Sequence, residues 1–257
     1  TAITTSGENL TTSEKENILL YLLPYKSPTD LIKFEDAHLI NIVFNVRAYI
    51  RDRSQDLTSI AGQIQTHLVS EYSVTNMDFN EAVYETVWKG GIHTAVPSIV
   101  YHESYTELEE SYDFVDGVGE AFMAKSIELG FDSIEDKNTL NEVTTFIYFR
   151  KSSSDSWVQI GKADSTTVTN LVGVGGYTSL FESGQNYIAY GTGTISIVLI
   201  KSEVNSIFFD SSATDLILEQ CEIKIRYQLE NEFDIIPSGR NQLLSVSSVN
   251  VSTAYLG

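Results

Sequence analysis

The chain holds one cysteine, four prolines, four histidines and two tryptophans in 257 residues. A single thiol, Cys221, excludes an internal disulfide framework and a cysteine-based zinc site. Cations are scarce too: 16 Lys and Arg stand against 35 Asp and Glu, a formal net charge of −19. Such a balance speaks against nucleic acid, whose affinity comes mostly from cationic contacts to phosphates, and against an anionic membrane surface. No run approaches the roughly 20 apolar residues of a membrane span. The N-terminus lacks the basic-then-apolar pattern of a signal peptide. Charged residues make up only 20% while Tyr and Phe number 14 and 12, so the chain is not of disordered composition. It starts at Thr1 rather than Met, which fits a processed product or a fragment.

The acidity is uneven. Residues 106–142 carry two basic and eleven acidic side chains, almost half of the net charge in about a seventh of the length. That segment separates two textures and reads as an acidic helical connection between modules at 1–105 and 143–257. In the first module Ser13-Glu14-Lys15-Glu16 has the form of a capping box opening a helix that stops before Pro24. Residues 39–50 alternate Ile40, Ile42, Phe44, Val46 and Ala48 with mostly polar neighbours, a strand with one buried face. Leu57, Ile60, Ala61, Ile64 and Leu68 share one helix face. A second helix is expected from Asp78 to about Trp88, with Phe79, Val83 and Val87 inward and Gly90-Gly91 ending it. A returning strand is expected over 92–105, with Pro97 near its middle.

Residues 118–130 read as helical. From Val143 the chain turns to β: strands are expected at 143–151, 157–163, 166–172, 187–190, 194–201, 206–209, 216–229 and 243–255. The last two are long enough for a hairpin around 230–241. The fold class is therefore α+β, an N-terminal α/β module (helix-strand-helix-helix-strand) followed by a β-rich antiparallel sheet or sandwich.

No motif in the chain assembles an active site. His38, His67, His93 and His102 form no HExxH pair, and no serine sits in a GxSxG elbow. Cys221 lies within an apolar strand pattern and reads as a buried, unreactive thiol. Gly173-Val174-Gly175-Gly176 lacks the third glycine of a dinucleotide fingerprint and the GK[ST] of a P-loop, and Gly191-Thr192-Gly193-Thr194 reads as a hairpin turn. The clusters at Asp113/Asp116 and Asp132/Glu135/Asp136 lack the alternating oxygen ligands of an EF-hand loop. Catalytic, cofactor-binding and metal-binding residues are thus all expected to be absent. The sequons Asn9-Leu10-Thr11 and Asn250-Val251-Ser252 matter only in a secreted eukaryotic setting.

Taken in order, Leu10-Thr11 and the helix after it, the turn Ser27-Pro28-Thr29-Asp30, the strand at 40–46, the helix at 57–72, the short helix at 79–88 and the strand at 99–105 resemble the baseplate J-like family of contractile-tail phages. The resemblance covers residues 8–105, and the β region from Val143 departs from the compact members. It implies a non-catalytic virion protein of the tail baseplate, assembled in the host cytoplasm. Such a subunit associates with itself, as a homodimer or higher oligomer, and with other baseplate wedge proteins, joining wedges into a ring around the tail hub. The alternative is a receptor- or glycan-binding β module of a virion appendage, with Trp157, Tyr177 and Tyr187 as exposed aromatic candidates.

Overall fold

A computed structural model describes residues 10–27, 32, 34, 37–114, 122–128, 144–164, 171–209, 221–229, 235–236, 238 and 242–256. Along the chain run α1 (Thr12–Leu22), β1 (His38–Ile50), α2 (Leu57–Glu71), β2 (Val83–Tyr84), α3 (Glu85–Ala95), β3 (Ile99–Asp113), β4 (Phe122–Glu128), β5 (Phe146–Arg150), β6 (Val158–Ala163), β7 (Leu171–Gly173), β8 (Tyr187–Ala189), β9 (Thr194–Ile200), α4 (Lys201–Phe208), β10 (Glu222–Tyr227), β11 (Ile235–Ile236) and β12 (Gln242–Tyr255). The fold is α+β. Its contacts divide the chain into residues 1–105 with 234–257, and residues 106–233. The second unit is therefore an insertion between β3 and β11 of the first.

In the first unit β1 lies between β12 and β3. Alternation along β1 buries Ile40, Ile42, Phe44, Val46, Ala48 and Ile50 on one face. Strand β12 pairs with β1 in parallel, His38 opposite Gln242 through Ile50 opposite Tyr255, with a bulge after Ile42 that leaves Ser247 as the extra residue. Helix α2 starts where the Asp56 carboxylate accepts from the Thr58 and Ser59 amides, and it buries Ile60, Ile64 and Leu68. Trp88 of α3 meets Phe44 edge-on at 5.1 Å between ring centroids. The indole N–H is buried and finds no acceptor among the described residues.

Several expectations for this unit need correction. The capping box sits two residues earlier: Thr11 Oγ1 accepts from the Glu14 amide at 3.3 Å, and the Glu14 carboxylate accepts from the Thr11 amide at 2.8 Å. The expected helix at 78–88 is instead β2 and then α3, which runs through Gly90-Gly91 to Ala95. Those glycines do not end the helix. A Cβ on Gly91 would stand 2.8 Å from His67 Nε2, so this glycine lets α3 approach α2. Val87 is exposed rather than inward. Strand β3 begins at Ile99, so Pro97 lies before it and not within it. The final strand belongs here, beside β1, and not to a β module or a hairpin with β10.

In the second unit, residues 108–113 of β3 pair antiparallel with β10, which pairs with β5, then β6, then β7. A second antiparallel sheet runs β4-β9-β8. The stretch expected as a helix at 118–130 is β4, paired from Phe122 opposite Ile200 to Glu128 opposite Thr194. Met123 and Ile127 are four residues apart, a spacing that fits one face of a helix and one face of a strand alike; the apolar partner β9 decides. Residues 206–209 end α4 instead of forming a strand, with Phe208 against Phe149 at 4.7 Å and stacked on Tyr177 at 5.6 Å. The start of the supposed solvated connection is strand, with Glu107, Glu109 and Glu110 buried. Gly161 and Gly173 face each other across β6 and β7. Their missing Cβ atoms leave the slot that the Phe181 ring fills, since added carbons would meet it at 2.7 and 2.9 Å. Asn186 is buried and fully engaged: its Nδ2 donates to the carbonyls of Glu182 (2.7 Å) and Val198 (3.2 Å), and its Oδ1 accepts from the Val198 amide (2.7 Å).

Candidate functional site

In the second unit the register sets Arg226 opposite Glu109, Arg150 opposite Glu222, and Lys224 opposite Tyr148. Period two then places all of them on one sheet face. Glu109 Oε1 accepts from Arg226 Nε at 2.7 Å, Arg226 Nη2 at 2.5 Å and Lys224 Nζ at 3.1 Å. Arg150 Nη2 donates to Glu222 at 2.5 Å, and its guanidinium lies 4.3 Å from the Trp157 ring centre. Lys224 stands over both Tyr148 and Trp157, at 5.0 and 5.1 Å. Burial works against the charge on Arg226, but the bonds and charge of Glu109 outweigh it and hold the guanidinium pKa above its ordinary value. Burial, followed by the charge of Glu107 and Glu109 and countered by Arg226, raises Tyr148. Each cation of the ladder already has a carboxylate, so the face is internally neutralised.

On the opposite face Glu110 is wholly buried and accepts from Tyr112 Oη at 2.5 Å and from Tyr227 Oη. Desolvation first, then the Glu110 charge, pushes both phenols well above their ordinary values. Cys221 is buried, and desolvation raises its thiol to about 11.

The first unit offers a cleft of about 610 Å³ whose lining includes Asn45, Arg47, Gln65, Glu103, Tyr105 and Asn250. Asn250 Nδ2 donates to Asn45 Oδ1 at 2.9 Å. Beside it Tyr49 stacks on Tyr101 at 5.8 Å, donates to Glu103 at 3.3 Å and lies under Arg47 at 5.4 Å. Tyr101 and Tyr105 are exposed. This is a polar, tyrosine-rich surface.

The four histidines are dispersed. His67 packs on Gly91, and His93 sits against His102 at 4.8 Å. His102 Nδ1 bonds Ser104 Oγ at 3.0 Å and Nε2 the Lys89 carbonyl at 3.3 Å. Burial holds His102 below its ordinary pKa, with the Lys89 carbonyl pulling the other way. Among the described residues no three His, Cys, Asp or Glu side chains converge as a metal site. Gly175 opens a 3-10 turn and Gly173 belongs to the Phe181 slot, while Gly193 adopts the left-handed conformation after a second 3-10 turn. Of the acidic clusters, Asp113 lies on β3, and Asp116, Asp132, Glu135 and Asp136 fall outside the described residues. Of the aromatic candidates, only Tyr187 is exposed; Trp157 is half-buried between Arg150 and Lys224, and Tyr177 is stacked on Phe208.

The sequence reading missed the ladder. Its signal was present: acids alternate in Glu107-Leu108-Glu109 and bases in Lys224-Ile225-Arg226, complementary strands separated by more than a hundred residues. Comparison with known protein families and with curated proteins gives no match to this chain.

Proposed function

We propose that this chain is a structural subunit of a contractile-tail phage baseplate, self-associating and joining wedges into the ring around the tail hub. The observation that carries the reading is the order α1, β1, α2, β2, α3, β3, which keeps the helix-strand-helix-helix-strand order of the resemblance over residues 8–105 with the two-residue β2 added before α3. The exposed face around Tyr49, Tyr101 and Tyr105 supports it, because tyrosines supply contact area at small entropic cost. So does the neutralised ladder of the second unit, which spends its charges on the chain itself. The proposed partners are a second copy and other wedge proteins, the proposed location is the virion baseplate, and no catalytic step is assigned.

Sedimentation over a hundredfold concentration range tests the self-association, and mass spectrometry of purified contractile-tail particles tests the location. A mass of twice 28.6 kDa together with the chain in those particles is expected. A monomer that is absent from the particles and captures a ligand on a glycan panel overturns the reading in favour of an appendage module.

A further inference from the structure

We propose that a second copy of this chain adds its own β12 to the open edge of β12, antiparallel and across a two-fold axis. The proposal rests on the self-association read above and names the surface that performs it.

Strand β12 ends the strand order of the first unit, with β1 on one side only. Which of its backbone groups point outward follows from three hydrogen bonds. The Leu256 amide donates to the Ile50 carbonyl at 2.8 Å, so after the bulge the even-numbered residues face β1 and Val249, Val251 and Thr253 face away. Before the bulge the outward groups are used within the chain: the Gln242 carbonyl accepts from Asn80 and the Val246 amide donates to the Tyr72 carbonyl. The outward amides of Val249 and Val251 make no such bond to any described residue. Both residues line the 610 Å³ cleft, as do Ala61 and Gln65 of α2.

Natural edge strands are guarded by lysines, prolines or inward charges against unwanted pairing. This one has no guard. Residues 241–257 contain neither a charged residue nor a proline, and neither do residues 57–70, which include nearly all of α2. In a chain of net charge −19 these 31 residues are where a second copy, equally acidic, meets no like charge. That neutrality selects the occupant: an outside partner suited to an acidic protein would be basic, and β12 offers a basic strand no carboxylate, while Glu103, which lines the cleft with Arg47, accepts from Tyr49. The strand is also complementary to itself. Antiparallel pairing about Val251 sets Val249 against Thr253 and Asn250 against Ser252, so the apolar face continues across the axis and the polar face continues with it. The α2 flank beside the edge presents Ala61, Gly62 and Gln65, small or uncharged groups; a Cβ on Gly62 would meet nothing within 4 Å.

Two variants test this in the full chain. Val251→Pro removes one outward amide, a position where an edge strand accepts proline. Ser252→Lys places a charge on an exposed side chain. Dimerisation is measured by sedimentation, folding by circular dichroism and thermal melting, and amide protection by hydrogen exchange. Each variant is expected to weaken dimerisation roughly tenfold or more at unchanged folding, since symmetry doubles every lost bond. Mixing Ser252→Lys with Ser252→Glu is expected to restore a heterodimer. The Val249 and Val251 amides are expected to exchange fast at low concentration and slowly in the dimer. If wild type and both folded variants dimerise alike, the edge is not the interface and this inference falls while the self-association stands. A wild-type monomer at every concentration overturns both.

Discussion

The two units carry opposite solutions to the same problem, a strand with a partly exposed polar environment. In the second unit β3 and β10 set acids against bases, and Glu109 alone gathers three N–H donors from Arg226 and Lys224. In the first, β12 has no charge at all, and its polar groups are a glutamine, serines, an asparagine, a threonine and a tyrosine. Paired charges that are mostly out of water tie a sheet to itself, because breaking one partner strands the other. An uncharged edge leaves hydrogen-bonding capacity for another chain. The contrast teaches that in an acidic protein the informative surface is the one from which charge is missing.

The sharpest way to break the contrast is Arg226→Met, which takes two of the three N–H donors from Glu109 and leaves it that of Lys224. Urea unfolding is expected to show a loss of about 3 kcal/mol. The pair Arg226→Met with Glu109→Leu should recover a large part of it; no recovery would mean that the ladder is not what the arginine serves.

Alkali probes the same unit. Cys221, Tyr112 and Tyr227 all hold their protons more tightly when folded, so the folded state binds more protons than the unfolded one at high pH. Their contribution is complete below the ordinary thiol value of 9.0 and is lost as pH climbs through about 11 for Cys221 and higher for the phenols. Urea midpoints followed upward from pH about 8 should therefore fall, and Cys221→Ala should remove the first part of the fall. A flat profile would contradict the burial of these groups.

Two glycines sharpen the comparison with opposite signs. Gly173→Ala forces a carbon to 2.7 Å from Thr178 Cα and the Tyr177 carbonyl, and is expected to cost about 2 kcal/mol. Gly62→Ala, on the open flank of α2, has space around it and is expected to add about 0.7 kcal/mol by helix propensity. Thermal melting of the two variants reads both, and equal signs would refute the packing described for one of them.

What was legible in the sequence was what a local pattern can carry. The alternation of Ile40 to Ala48 gave β1, and Ile60, Ile64 and Leu68 gave α2, because burial on one face leaves a period in the chain. Glycine and proline misled where their role was tertiary: Gly91 serves a helix contact with His67, and Pro97 precedes a strand. Met123 and Ile127 were ambiguous in principle, their spacing belonging to both periods. The location of β12 was out of reach for a different reason. Its partner β1 lies some two hundred residues away, and nothing in Val249-Asn250-Val251 says which edge it will join. The ladder was hidden likewise, since pairing Glu109 with Arg226 needs the register of β3 and β10. The cleft drew on both failures, being built from β1, α2, β3 and β12 together.

The insertion of one unit within the other sets an order in time. During synthesis, residues 106–233 are made before residues 242–255. The parallel pairing that finishes the first unit must wait for that last strand. Until then β1 stands at the end of the strand order and the cleft lacks the lining that Val249, Asn250, Val251 and Ser252 give it. The edge proposed for pairing between copies thus exists only in a chain that has been made past residue 242.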